Sequence, residues 1–321
     1  MTEKKWTHQT AGKIAEILVE SGIHVSATVV RRLLHQMDYT LKSNKKCLSA
    51  GNSRDRDPQF RMIKKLREEF AQKREPIISV DTKKKEMIGL FKNGGKVWCK
   101  GAKKVKDHDF RSEAIGMAAP YGIYDTERNF GMVVVGQSAD TPEFACNCIL
   151  KWWRNYGSGH YPNAKNLLIL ADSGGSNGCR PRAWKKFLQE KLADGTDLTI
   201  TVAHYPTGAS KWNPIEHRMF SEISKNWAGV PLENYETVVN YVSTTKTDTG
   251  LHMTACRDQL TYQKGIKVSD NEMSELALNQ NDTLGKWNYT ISPRKGFSCA
   301  GRSVNSRKNT RESNSDFGKT A

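Results

Sequence analysis

Three acidic residues stand where the sequence changes character. Asp81 follows the apolar run "PIISV" (76–80), Asp172 follows "NLLILA" (166–171), and Glu216 lies just inside "NPIEHRMFSEISKNW" (213–227). Function tends to collect at such element ends. Three carboxylates could bind two hard divalent cations through oxygen. Mg²⁺ suits these ligands and keeps waters for substrate phosphates. Two ions about 3.5–4 Å apart can hold the attacking and leaving oxygens of an in-line phosphoryl transfer. No Cys and His cluster accompanies the carboxylates, which disfavours zinc.

Each residue also has a plainer role. Asp81 and Asp172 are common turn formers after strands. Glu216 sits three positions after Asn213, where a capping-box glutamate belongs, with Pro214 in the first turn. The two roles of Glu216 coexist, because a helix N-terminus stabilises the anion. The loop "DSGGSNG" after Asp172 does not match G-x-G-x-x-G, and no Lys follows to make a P-loop. Its glycines are better explained by close backbone approach at a site headed by Asp172.

The surrounding pattern supplies elements to position these residues. A charged helix is expected at about 61–74, and "PIISV" reads as a buried strand. "YGIYDTERNFGMVVVG" (121–136) reads as a hairpin. "TPEFACNCILKWWRNYG" (141–157) reads as a capped helix with Phe144, Cys148 and Trp152 on one face, and Cys146 and Cys148 on different faces. The strand "NLLILA", an amphipathic helix (181–194), the strand "LTITVAHY" (198–205) and the helix 213–227 follow. An antiparallel start followed by alternating α and β predicts a mixed α/β sheet flanked by helices.

Residues 8–46 read as two short helices about Gly22, with Ser26 capping the second. That helix would face inward with Val29, Val30, Leu33, Leu34 and Met37, and outward with Thr28, Arg31, Arg32 and His35. Lys42, Lys45 and Lys46 follow as a basic arm. This is a helix-turn-helix pattern with candidate DNA contacts in the outward residues and the arm. A plain helical hairpin has the same appearance.

The chain has 321 residues and a formal charge of +16, from 50 Lys and Arg against 34 Asp and Glu. Such an excess favours a polyanion, nucleic acid first. Seven cysteines without a C-x-x-C pair argue against a disulfide framework or zinc knuckle and are expected to be reduced thiols of a cytoplasmic protein. No apolar run is long enough for a membrane span, and "MTEKKWTHQT" has no signal-peptide core.

Several long stretches together carry a resemblance: "ISVDTKKKEMIGLFKNGG", "HDF", "PYGIYD", "LILADSGGSNG", "HYPTGASKWNPIEHRMFSEISKNW" and "KWNYTISP". They resemble the DDE transposases of the ISAzo-type bacterial insertion sequences, over about Trp6 to Pro293. The resemblance implies an RNase H-like, retroviral-integrase-like core with a five-stranded sheet whose first three strands are antiparallel. It implies Asp81, Asp172 and Glu216 as the triad, Mg²⁺ (or Mn²⁺) as cofactor, and double-stranded DNA, transposon ends and target, as substrate. Strand cleavage followed by transfer of a 3′-hydroxyl is the implied reaction, in a homodimer or larger synaptic complex. Asn177, Lys211, Asn213 and His217 match family motif positions as supporting or DNA-contacting groups, and the basic excursion 100–106, with Lys103 and Lys104, is expected to hold DNA. Similar proteins usually carry a further segment ahead of "KKWTHQT", so the chain reads as a shortened copy or a late start.

The expected organisation is a helix-turn-helix region (1–46), a linker and helix (47–75), the catalytic domain (76–229), a C-terminal extension of that core (230–295) and a disordered basic tail (296–321). The rival readings are a catalytically silent, transposase-derived DNA-binding protein and an RNase H-like nuclease that hydrolyses without joining.

Overall fold

The computed structural model describes residues 9–41 and 54–294 and divides into two compact units, residues 1–51 and 52–321. The basic arm with Lys42, Lys45 and Lys46, and the tail 296–321, lie outside the described residues.

The first unit is a helical pair, α1 (Ala11–Glu20) and α2 (Ala27–Gln36). Thr10 and Ser26 cap them by accepting the backbone N–H of Lys13 and Val29. Gly22 ends α1 in the left-handed region, at φ 84°, so that Ile23 N–H reaches Leu18 O and Gly22 N–H reaches Val19 O. This is the paired closure that left-handed C-terminal residues provide. Val30 is buried and Thr28, Arg31, Arg32 and His35 face outward. Leu33 and Met37, expected inside, are 42% and 60% exposed. Two ten-residue helices bury only a narrow strip of each other, and the apolar stripe of α2 is wider than that strip among the described residues.

The second unit is a sheet of nine strands among the described residues, flanked by helices on both faces. Its strands are β1 (Ile77–Thr82), β2 (Glu86–Ile88), β3 (Gly116–Asp125), β4 (Phe130–Gly136), β5 (Asn166–Asp172), β6 (Thr199–Tyr205), β7 (His252–Asp258), β8 (Leu278–Gln280) and β9 (Asn288–Ile291). The order is β7-β4-β3-β1-β5-β6-β9-β8, with β2 pairing β3 away from this path. The central five run β4-β3-β1-β5-β6. The β1–β3 and β3–β4 pairs are antiparallel, and β5 and β6 continue parallel to β1. The expected five-stranded sheet is therefore a centre rather than the whole. β7 extends it alongside β4, and the β8–β9 pair alongside β6. Both additions cover backbone edges that would otherwise present unpaired N–H and C=O groups.

Strand alternation sorts the core into two faces. Ile78, Val80, Leu167, Ile169 and Ala171 pack against α4 (Pro142–Trp152) and the helix beginning Arg182–Phe187. Ile77, Leu168 and Leu170 face α3 (Arg56–Gln72) through Ile63 and Phe70. Farther along this sheet, Tyr124, Val133 and Val135 meet Ile215, Met219 and Phe220. α3 begins earlier than its apolar spacing predicts, because Pro58 is tolerated in a first turn. Cys146 and Cys148 are both fully buried, since α4 is enclosed on nearly all sides rather than on one stripe.

Candidate functional site

The parallel ladder between β1 and β5 pairs Ser79 with Leu170 and Val80 with Ala171. Asp81 and Asp172 therefore leave the sheet side by side, at the C-terminal ends of adjacent parallel strands. They alternate onto the same face as Ser79 and Leu170. Beyond β1 the order reverses into the antiparallel strands, and such a switch point is where open α/β sheets place ligands.

Glu216 reaches this place through a close helix–sheet contact. Gly122 lies opposite Asp81 on β3. A Cβ there would stand 2.5 Å from Met219, 2.6 Å from Phe220 and 2.8 Å from Ile215. Only a glycine lets the Glu216 segment lie this near the sheet. That segment, Glu216–Phe220, is a π-helical turn leading into the helix Ser221–Asn226, not the uninterrupted α-helix the spacing predicts. Wide turns of this kind recur at functional sites.

The expected capping box is absent. Asn213 does not cap the helix with its side chain. Its Nδ2 donates to Asp172 Oδ1 at 3.1 Å, and its Oδ1 accepts the hydroxyl proton of Ser79. Ser79 Oγ in turn accepts the backbone N–H of Ile215 at 3.2 Å. The first turn is thus capped from β1, and Glu216 is released toward Asp81.

Asp81 is raised to about 8, by burial first, then by the Asp172 carboxylate and by Glu216. Glu216 is also raised, by burial first and by Asp172, while the hydrogen bond from Asp81 opposes the shift. Lys83, two residues on, packs its ammonium 4.7 Å from the Trp227 ring centroid and 3.6 Å from Glu86. Burial holds Lys83 below the ordinary lysine range.

Beneath Asp172 lies a buried polar chain. His204 is fully buried, with Nδ1 2.9 Å from the backbone oxygen of Asp172 and Nε2 3.0 Å from the Tyr289 hydroxyl. Trp184 donates to the same hydroxyl at 2.9 Å. The Asp172 backbone oxygen can only accept, so Nδ1 carries the proton of the neutral ring and Nε2 accepts from the Tyr289 hydroxyl. Burial lowers His204 to about 4, so the ring is neutral at ordinary pH. The glycine loop is tied down as well: Asn177, buried, donates to Val80 O at 3.3 Å.

Of the residues singled out by sequence, the fold gathers Asp81, Asp172, Glu216, Asn213 and Asn177. Lys211 and His217 stand on the neighbouring turn, exposed, with the His217 ring against the Lys211 carbonyl and the Lys211 ammonium 4.1 Å from the Trp212 ring centroid. Lys103 is engaged by Glu233, and neither it nor Lys104 lines the cleft at the carboxylates. Thr28, Arg31, Arg32 and His35 belong to the other unit. Sequence reasoning does not single out Ser79, Gly122 or His204. The legible signals are a polar residue two positions before Asp81, and a lone histidine in the apolar run "TITVAHY".

The donor set fits a hard divalent cation: oxygen donors only, with two carboxyls pushed up by burial and by the Asp172 charge, an imbalance that a divalent charge corrects. Among the described residues no three Cys, His, Asp or Glu side chains converge tightly enough to enclose an ion by themselves. Water or substrate oxygens would complete the coordination, as Mg²⁺ commonly requires.

Three antiparallel strands followed by two parallel ones, with helices on both faces, give the strand arrangement expected of an RNase H-like fold. Residues 1–293 match the family described as the Rhodopirellula transposase DDE domain, and the chain belongs to that family of DDE transposases. A comparison with curated proteins returns no match. Among solved structures, the Mos1 transposase paired-end complex with left transposon end is similar at 15% identity and a TM-score of 0.44, covering 73% of this chain and 65% of that one. The mariner Mos1 paired-end complex with Mg is similar at 13% identity and a TM-score of 0.42, covering 75% and 74%. The chain spans about two thirds of the length of the first of these. No helix among the described residues is long and apolar enough to cross a membrane.

Proposed function

We propose that this chain is a metal-dependent transposase that cuts DNA at the ends of an insertion sequence and joins the freed 3′-hydroxyl to target DNA. The observation that carries this reading is the emergence of Asp81 and Asp172 side by side from β1 and β5, with Glu216 brought against them across Gly122. Asp81, Asp172 and Glu216 would hold Mg²⁺ or Mn²⁺. Such ions, when bound, supply positive charge to the attacking and leaving oxygens of a phosphoryl transfer.

The chain's own residues set the geometry for this. Asn213 fixes the Asp172 carboxylate in one rotamer, and His204 fixes its backbone from below. Ser79 holds both Asn213 and the start of the Glu216 segment, so one hydroxyl coordinates two sides of the site. Catalysis of this kind rests on positioning and electrostatics rather than on a covalent protein intermediate. Arg31 and Arg32 on α2, with Thr28 and His35, are the proposed duplex contacts of the N-terminal unit, and Lys103, Lys104 and Lys211 are proposed backbone contacts. Two copies are proposed to act together, because the two ends of one element must be handled in one complex.

The test is strand cleavage and transfer on DNA carrying the element's terminal sequence, with Mg²⁺, for the wild type and for Asp172→Asn. The wild type is expected to yield products joined to target duplex, and the variant none. Metal-dependent activity unchanged in Asp172→Asn would overturn the assignment. Hydrolysed but unjoined products would reduce the protein to a nuclease.

A further inference from the structure

The cleft at the carboxylates extends well beyond them. It has a volume of about 940 Å³ and runs from Asp81 and Asp172 to Gln280, Lys286 and Trp287, at the β8–β9 hairpin. One wall is the loop after β5, where Gly174 and Gly175 leave backbone exposed and Arg180 stands in solvent. The other wall is the hairpin. Apart from Asp81 and Asp172, no acidic residue lines the cleft among the described residues.

The cations in it differ in their freedom. Lys185 is committed internally, since its ammonium donates to Cys179 O at 2.6 Å and braces the loop. Arg180 has no acidic partner among the described residues. Lys286 lies 3.4 Å from Asp55 with both side chains substantially exposed, and its ammonium is 4.8 Å from the Trp287 ring centroid. An exposed pair of that sort is held weakly and yields readily to a phosphate. The cleft is thus negative at one end and positive along facing walls.

We infer that the β8–β9 hairpin and the loop after β5 form a channel for an unpaired DNA strand, with Arg180 and Lys286 holding its phosphates as it leaves the carboxylates. The inference rests on the transposase reading and adds which form of DNA the cleft takes. Size accommodates a single strand: a cleft of about 940 Å³ holds a ligand on the scale of a few nucleotides. Charge selects the backbone, because a cationic groove with an aromatic side chain, here Trp287, is the arrangement by which proteins track single strands.

The test uses the full chain without divalent metal, so that no cleavage is required. Fluorescence anisotropy compares a blunt duplex with the same duplex carrying a single-stranded 3′ extension. The wild type is expected to favour the extended duplex, and Arg180→Gln with Lys286→Gln to lower that preference about tenfold. The slope of log affinity against log salt on the extended duplex should flatten by about 1.4, because the glutamine pair leaves two single-strand phosphates unneutralised. The charge-preserving pair Arg180→Lys with Lys286→Arg should restore most of the preference, which a merely misfolded cleft would not allow. An unchanged preference and slope in the glutamine pair, or no preference in the wild type, overturns the channel. A wild type that favours the extended duplex but never cleaves DNA with Mg²⁺ would sink the transposase reading and leave the channel standing.

Discussion

Asn213 and Asp172 face each other from different elements, and the amide donates to the carboxylate at 3.1 Å. Asn213 is itself fully buried and is held by Ser79, so its orientation is set before Asp172 is met. Exchanging it for aspartate keeps the shape and replaces a donor with a charge beside three carboxylates. Asn213→Asp is expected to abolish strand cleavage almost entirely. Asn213→Ala should reduce it by one to two orders of magnitude and lower stability by about 1–3 kcal/mol, the cost of leaving a buried partner unmade. Gel-based cleavage assays and chemical denaturation of both variants check this.

Gly122→Ala probes the spacing between sheet and helix. The new methyl meets side chains of Met219, Phe220 and Ile215 at less than 3 Å. The Glu216 segment must then lift away from β3. Overpacking of this kind costs about 1–3 kcal/mol. Cleavage is expected to fall further than stability alone explains, since Glu216 moves while the fold survives. A variant that loses stability but keeps its cleavage rate would show that the approach is not functional.

His204 should give the protein an acid limb. Its folded-state value is depressed to about 4 from 6.5 by burial. The stability it confers is present above pH 6.5, and is lost as pH falls toward 4, because the unfolded chain then binds a proton the native ring refuses. Denaturation midpoints of the wild type should drop across this window, and His204→Gln should flatten the drop while lowering the midpoint at neutral pH.

Asp81 acts in the opposite sense. The unfolded carboxyl releases its proton near 3.8, but the native one keeps it to about 8. Between those values the native state binds more protons, so stability of the metal-free protein should fall as pH rises. Asp81→Asn should remove that decline. Mg²⁺ should stabilise the wild type more at about pH 8 than at about pH 6, because the native carboxyl must release its proton to bind the ion. It should stabilise Asp81→Asn little at either. Thermal unfolding of both proteins, with and without Mg²⁺ at each pH, provides the readout.

Much of this site can be read in the chain without its fold. Asp81 and Asp172 end apolar runs, and strand ends are legible because burial writes continuous hydrophobicity into parallel strands. The Asn213–Pro214–Glu216 pattern is equally visible, yet it points to a capping box. The cap comes instead from Ser79, far away in sequence, and a local signal holds no record of a distant donor. Gly122 hides for the same reason. In "PYGIYD" it looks like any glycine in a hairpin, and its purpose exists only when Met219 and Phe220 are packed over it. The outer strands β7, β8 and β9 read only as an extension: β8 and β9 have three and four residues, too few to show a period, and β7 is half-buried through its middle with no sustained alternation.

One junction joins segments that flank the central strands on both sides. Gln59 on α3 donates to His204 O and to Asn288 Oδ1, both at 2.8 Å, and Asn288 on β9 donates back at 2.7 Å. The carboxylates are thereby bracketed by a clasp whose halves come from before β1 and after the last helix. A fragment trimmed to residues 76–229 would retain Asp81, Asp172 and Glu216 but lose both halves of that clasp, together with the Tyr289 partner of His204. The smallest piece worth expressing for crystallisation or engineering therefore keeps α3 from Asp55, which pairs with Lys286, through β9 to Arg294, which pairs with Asp194.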